Sequence, residues 1–187
     1  MDTDYRDSLA RRLRTVHGLY GEAMSTMNAE QVNRVVVDGS LPIAFSLVHQ
    51  ALIEDGARAL AGGPDPLIAS WMDNLELALP TDGKASTVEE MMHQRIGNYD
   101  AFRTFQAATF ALTDEWVAAL DPPALSDILV RPPYGAVLAN TFSARLGGDA
   151  GITRADAVES WIYQHALRHL GEIEHARALV GLGGLTS

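Results

Sequence analysis

The sequence contains no cysteine. Disulfide bonds, thiolate metal ligands and a cysteine nucleophile are therefore excluded. Any metal ion would have to be bound by histidine and carboxylate side chains, which are donors typical of zinc, nickel, iron or manganese sites. A chain of this composition can take part in thiol chemistry only if a substrate supplies the sulfur.

Long apolar runs and an excess of basic charge are also missing. The sequence has no run of about 18 apolar residues, the length that a membrane-spanning helix needs. Its charged beginning, "MDTDYRDSLARRLRTV", lacks the apolar core of a signal peptide. The formal net charge of −10 disfavours binding to a phosphate backbone. We therefore expect a cytoplasmic protein with neither nucleic acid nor membrane as a partner.

The remaining composition, with 47% hydrophobic and 20% charged residues among 187, is that of an ordinary globular protein. It predicts one domain, residues 1–187. Apolar periodicity, caps and breakers predict helices over these approximate ranges: Tyr5 to Met27, Ser40 to Ala61, a short one from Pro66 to Leu79, a long one from Ser86 to Leu120, and Thr153 to Val180. Four long helices predict an all-α four-helix bundle with a short extra helix.

The helix boundaries rest on local signals. Ser40 before Pro42 is typical of a helix start, and "STVEE" and "TRAD" are capping-box patterns. Val35 to Val37 is a candidate short extended piece. The irregular connection from Leu125 to Gly148 fits either a hairpin around Pro132 to Gly135 or a loop with a short helix.

The last helix carries the most informative pattern, "WIYQHALRHLGEIEHARAL". His165 and His169 are four residues apart and so share one helix face. That spacing recurs by chance, but this pair occupies the apolar stripe that passes through Val158 and Ile162. Buried polar groups need partners, and one shared cation would satisfy both rings. We interpret the pair as metal ligands; two ordinary buried histidines are the alternative.

Two ligands do not complete a metal site, so a third is expected from another helix. His49 in "IAFSLVHQALIEDG" is the best candidate because it also lies on an apolar face. His175 lies six residues beyond His169 and points about 120° away from it. His17 and His93 are predicted at the surface or rim, with a supporting role near the metal open for His93.

Two carboxylates are candidates for a base beside such a site. Glu172 follows His169 by three residues and can face the metal, whereas Glu54, five residues after His49, is less well aligned. For both residues a solvated surface position is the favoured interpretation, because charged side chains are mostly exposed. Glu172 is thus a weak catalytic candidate.

These features resemble the DinB-like superfamily of four-helix metalloproteins. The resemblance rests on "SLVHQALIEDG" in the second helix, on the HxxxH pattern followed by "HLGEIEHAR" in the last, and on the helix order. It implies an up-down-down-up bundle, often a homodimer, with a divalent ion such as zinc or nickel bound by His49, His165 and His169. It also implies use of a low-molecular-weight thiol such as mycothiol or bacillithiol.

Three neutral ligands leave one position open on the metal, as in catalytic sites. We therefore expect a metal-dependent transferase that adds a low-molecular-weight thiol to a small electrophile. A metal-dependent hydrolase, in which water replaces the thiol, is the second interpretation. The third is a helical bundle that binds metal or a small ligand without turnover.

Overall fold

Helices account for most of the chain, as the sequence predicts. The computed structural model describes residues 2–185. Its α-helices are α1 (Asp2–Ser25), α2 (Ala29–Asn33), α3 (Ile43–Leu60), α4 (Ile68–Leu75), α5 (Val88–Met91), α6 (Tyr99–Ala119), α7 (Phe142–Gly147), α8 (Arg154–Ala157) and α9 (Gln164–Leu179). A 3-10 turn (Pro122–Ser126), a π-helical segment (Val158–Tyr163) and two short strands, β1 (Ile128–Val130) and β2 (Ile152–Thr153), complete the regular structure of this part. This predominance of helix confirms the predicted all-α class.

The core lies between the longest helices. Its main cluster combines side chains from α1, α3, α6 and α9, among them Tyr20, Leu47, Phe105 and Ile173, each fully buried. A second cluster joins α1 and α6 to the helical stretch before α9. Because their apolar stripes meet, α1 packs on α6 and α3 packs on α9. The packing of α3 on α9 brings the predicted ligands of these two helices to one interface.

Two predicted capping boxes are confirmed. Thr87 caps α5 together with Glu90, and Thr153 caps α8 together with Asp156. The predicted Ser40 cap is wrong, because its hydroxyl donates to the carbonyl of Val37 and α3 begins after Pro42 without a side-chain cap. The candidate extended piece at 35–37 does not form a strand, and Val37 lies in a bend.

The helix predicted from Ser86 to Leu120 is interrupted. The structure ends α5 at Met91 and begins α6 at Tyr99, where the Asn98 side chain accepts a hydrogen bond from the amide of Ala101. Between these helices the backbone bonds to another segment: the amide of Gly97 donates to the carbonyl of Glu76 at 3.0 Å. A long-range backbone contact therefore overrides the helical pattern.

That contact also shortens the preceding helix, which was predicted to reach Leu79. Glu76 adopts φ 51° immediately after α4 and directs the chain into a bridge between Leu77 and Ile96. A Cβ atom at Gly97 would lie 2.7 Å from the Cβ of Glu76. Glycine is thus required where the two segments touch.

The connection before the last helix contains a short helix rather than a hairpin. β1 pairs antiparallel with β2, so Ile128 lies opposite Thr153, and α7 fills part of the intervening segment. The hairpin predicted around 132–135 is wrong, while the alternative of a loop with a short helix is confirmed. The pairing fixes the position of Thr153, which begins the last helical stretch.

That last stretch is not a uniform α-helix. A π-helical segment, Val158–Tyr163, joins α8 to α9 and ends two residues before His165. Each π turn holds more residues than an α turn, so the segment changes which side chains face the core. Val158 and Ile162 are buried within it. In the described residues, 2–185, no helix has both the length and the apolar character that crossing a bilayer requires.

Candidate metal centre

His49 on α3 faces His165 and His169 on α9. The Nε2 atom of His165 lies 3.2 Å from Nε2 of His49 and 3.2 Å from Nε2 of His169. The three side chains form a group close enough to share one metal ion. The structure therefore brings together all three of the ligands predicted from the sequence.

The outward nitrogen of two of these rings is already engaged. Nδ1 of His49 donates to the carbonyl oxygen of Asp82, and Nδ1 of His169 donates to Oε2 of Glu172 at 2.7 Å. A carbonyl can only accept, so the Nδ1 atom of His49 must carry the proton. In a neutral ring this leaves a lone pair on Nε2, which is the tautomer that metal coordination uses.

The donor set fits a cation. When all three rings are neutral, Nε2 of His49 and Nε2 of His169 both direct lone pairs towards Nε2 of His165, which can offer one proton at most. At least one of the two contacts is then a repulsion between lone pairs unless a cation lies between the rings. Ligand nitrogens about 2.0–2.1 Å from a tetrahedral ion would be roughly 3.3 Å apart, close to the two distances of 3.2 Å from His165.

Burial keeps two of the rings neutral. Desolvation lowers the pKa of His49, although its hydrogen bond to Asp82 opposes the shift. Desolvation, followed by repulsion from His169 and His49, lowers the pKa of His165 to about 2. Both imidazoles are therefore uncharged near pH 7, and protons do not compete strongly for their lone pairs. The outward Nδ1 of His165 is buried and has no hydrogen-bond partner among the described residues.

Glu172 connects the two helices that carry the ligands. Its Oε2 atom accepts from Nδ1 of His169 and from the hydroxyl of Ser46, 3.0 Å away on α3. The hydrogen bond from His169 is the main cause that lowers the pKa of Glu172. The side chain is 53% exposed, as predicted, yet it orients a ligand ring. Ser46 was missed, although it lies one turn before His49 on α3.

The loop that contains Asp82 packs closely against α3. Gly83 has φ +73°, and a Cβ atom there would lie 2.7 Å from Cε2 of Phe45. The Phe45 ring in turn stacks on His49, with centroids 5.5 Å apart. This fit positions the carbonyl that orients His49. The sequence gives no signal for it, since the contributing group belongs to the backbone.

Two of the other histidines lie where they were predicted. His93 and His175 are exposed, so the structure leaves both outside the three-histidine group. His17 was predicted at the surface or rim, and this is wrong: the residue is 6% exposed. It follows Leu13 by four residues and precedes Tyr20 by three, so the apolar stripe of α1 was an available signal.

His17 is held between two carboxylates. Its Nε2 atom lies 3.2 Å from Oε1 of Glu54, and its Nδ1 atom lies 3.0 Å from Oδ1 of Asp114. Desolvation opposes protonation, but the charge of Glu54 and the hydrogen bond with Asp114 outweigh it and raise the pKa of His17 to about 9. His17 is therefore a buried cation that joins α1 to α3 and α6.

The predicted surface position of Glu54 is also wrong. The residue is 0% exposed, and its Oε2 atom accepts from Nε2 of Gln50 at 2.7 Å. Gln50 in turn accepts from Gln106 at 2.9 Å. Glu54 belongs to this buried polar group rather than to the three histidines, because its position on α3 is well rotated from that of His49.

Comparison with known proteins identifies the fold but no family. No protein-family model matches the sequence, and no curated protein sequence matches it either. A crystal structure of a conserved protein from Enterococcus faecalis is similar, with a TM-score of 0.71 and 21% sequence identity. The match covers 93% of this chain and 95% of that one. At this identity the likeness shows a shared fold alone.

Proposed function

We propose that the chain is a DinB-like metalloprotein with an up-down-down-up four-helix bundle, in which His49, His165 and His169 hold a divalent ion, zinc or nickel. The observation that carries the proposal is the convergence of three Nε2 atoms, two of them on rings whose Nδ1 atoms are already engaged. The position of one ligand on α3 and two on α9 agrees with the motif order of that superfamily.

Three histidine ligands leave room for a ligand from solution. A divalent ion held there supplies a positive charge that lowers the pKa of a thiol or of water near pH 7. Because the chain has no cysteine, the sulfur must come from a substrate. The proposed reaction is transfer of a low-molecular-weight thiol, of the mycothiol or bacillithiol type, to a small electrophile.

The engagement of Glu172 favours thiol transfer over hydrolysis. A hydrolase would use a free carboxylate beside the metal as a general base. Oε2 of Glu172 already accepts from His169 and from Ser46, which suits an orienting role. A thiol that loses its proton easily has less need of such a base.

Metal analysis of purified variants tests the site. We expect the wild type to retain about one equivalent of metal and both His165→Ala and His169→Ala to lose nearly all of it, since two histidines bind far more weakly than three. His175→Ala is the matched control, because it removes an exposed histidine from the same helix. Wild-type metal content in the first two variants would contradict the proposal.

An electrophile assay separates the possible activities. Monochlorobimane is offered to the metal-loaded protein with mycothiol, bacillithiol or glutathione, and again after treatment with a chelator. Conjugation that requires both metal and one particular thiol supports the transferase. Ester cleavage without thiol would instead support a hydrolase, and metal binding without either activity would support a binding protein.

A further inference from the structure

Lys84 is the single lysine among 187 residues, and it lies beside the three histidines. Its backbone amide donates to Oδ1 of Asp82 at 3.0 Å, while the carbonyl of Asp82 accepts from His49. Gly83, between these two residues, packs on the Phe45 ring. The backbone of Lys84 is thus fixed at the edge of the candidate metal centre, and its side chain is exposed.

A second exposed cation lies on the opposite helix. Arg168 stands between His165 and His169 in the sequence of α9. Arg168 follows His165 by three residues, so the two side chains are neighbours on adjacent turns of α9. Among the described residues, neither the ammonium of Lys84 nor the guanidinium of Arg168 has a hydrogen-bond or ion-pair partner.

The carboxylates at this edge already have hydrogen-bond partners. Glu172 accepts from His169 and Ser46, and Oδ1 of Asp82 accepts from the amide of Lys84. The two cations therefore remain available to a ligand. The chain as a whole has a formal net charge of −10, whereas at this edge the two cations offset the charges of Glu172 and Asp82. Two cations at the rim of a site favour an anion that enters it.

We propose that Lys84 and Arg168 form an anion-binding rim that selects small ligands carrying a carboxylate or similar anionic group for the three-histidine site. The inference rests on the proposed function insofar as the ligand also reaches the metal. It narrows the substrate class to anionic small molecules, whether the thiol or the electrophile carries the charge.

A pair of matched thiols tests the rim. 3-Mercaptopropionate and 3-mercapto-1-propanol differ in charge but hardly in size, and both are titrated calorimetrically into the metal-loaded protein. We expect the wild type to prefer the anionic thiol, and Lys84→Gln or Arg168→Gln each to reduce that preference roughly two- to five-fold, the effect of one exposed charge. High salt should weaken the preference as well.

Two variants serve as controls for charge and position. Lys84→Arg keeps the positive charge and should keep the preference for the anionic thiol. Arg14→Gln removes an exposed arginine from α1 and should leave the preference unchanged. Any chelation of the metal by the carboxylate of 3-mercaptopropionate is common to all variants, so the comparison among them isolates the rim.

A spectroscopic readout reports on Lys84 without any turnover. Reductive methylation with 13C-formaldehyde labels one side-chain amine in this chain and retains its charge. We expect the dimethyl-lysine signal to shift with 3-mercaptopropionate and with propionate, but not with 3-mercapto-1-propanol. Propionate contains no sulfur, so a shift with propionate does not depend on the proposed thiol chemistry.

The outcomes separate the rim from the proposed thiol chemistry. If propionate and 3-mercaptopropionate shift the signal with equal affinity while 3-mercapto-1-propanol does not bind, the rim is retained and the thiol transferase is contradicted. Equal affinities for both thiols in the wild type and both glutamine variants, together with an unmoved Lys84 signal, would overturn the rim and leave the transferase standing. For an anionic electrophile, the same signal should shift only when the charged version is added.

Discussion

His17 and the cluster of His49, His165 and His169 lie in the same helical core, yet their ring nitrogens face opposite kinds of neighbour. Both nitrogens of His17 face carboxylates, those of Glu54 and Asp114. In the cluster, the inner nitrogens face one another. Desolvation disfavours the charged imidazole in both places, so the difference between them comes from the partners.

The comparison shows that burial alone does not assign a role to a histidine. Carboxylates outweigh desolvation at His17 and raise its pKa to about 9, which makes it a permanent internal cation near pH 7. At His165 the neighbouring imidazoles add to desolvation and lower the pKa to about 2. His17 is therefore charged and forms ion pairs with its carboxylate neighbours, whereas His165 is neutral and its lone pair is available to a metal ion.

Removal of His17 should give the largest effect on stability. His17→Ala leaves the Glu54 carboxylate buried without its cation, which typically costs about 3–5 kcal/mol of the free energy of unfolding. Urea denaturation measures the change, with His93→Ala as an exposed control. His17→Ala/Glu54→Gln should recover part of the loss. A cost below about 1 kcal/mol would show that the pair contributes little.

The stability should also depend on pH through His17. Its folded pKa of about 9 is raised above the ordinary value of 6.5, so its contribution is complete below about pH 6.5 and is lost as pH rises through 9. We expect the free energy of unfolding to fall by roughly 2–3 kcal/mol between pH 6.5 and 9.5. His17→Gln should lack this fall, and equal slopes in both proteins would contradict the assignment.

At the three-histidine cluster, the corresponding substitution disturbs the orientation of a ligand ring and leaves no buried charge unpaired. Glu172→Gln should weaken metal binding about 10- to 100-fold, because groups that hold a ligand ring typically matter to that extent. Competition with a fluorescent chelator measures the affinity. Glu115→Gln, an exposed acid on α6, is the matched control. Unchanged affinity in Glu172→Gln would mean that Glu172 is only a solvated carboxylate.

The sequence predicted what depends on neighbours along a helix. Thr87 and Thr153 cap helices through residues three positions away, and His165 and His169 share a face because they are four apart. The same reasoning applied to His17 would have placed it in the core, because it shares the stripe of Leu13. It was not predictable that two acids would meet it there, since they come from α3 and α6.

The sequence did not predict features that depend on contacts between distant segments. The break before α6 follows from the backbone of Gly97 meeting Glu76, and neither residue signals the other in the sequence. The π-helical segment before His165 likewise has no local pattern that distinguishes it from an α-helix. The carbonyl of Asp82 reaches His49 only because a loop folds back onto α3.

The fit of that loop gives the prediction with the smallest effect, Gly83→Ala. A left-handed φ costs an alanine about 1 kcal/mol, and at this position the new Cβ would also press on Phe45 and displace the Asp82 carbonyl. We expect a several-fold loss of metal affinity from the displaced hydrogen bond. The measurement is the same chelator competition.

Gly39→Ala provides the matched control for this substitution. Gly39 has φ +81° but open space around the Cβ position. Both alanine variants therefore carry the backbone cost of a positive φ, and only Gly83→Ala also presses on Phe45. Metal affinity should therefore fall in Gly83→Ala alone, although both variants lose stability. If the two lose metal equally, the affinity follows the overall stability of the chain. If neither does, the Asp82 carbonyl does not help to hold His49 for the ion.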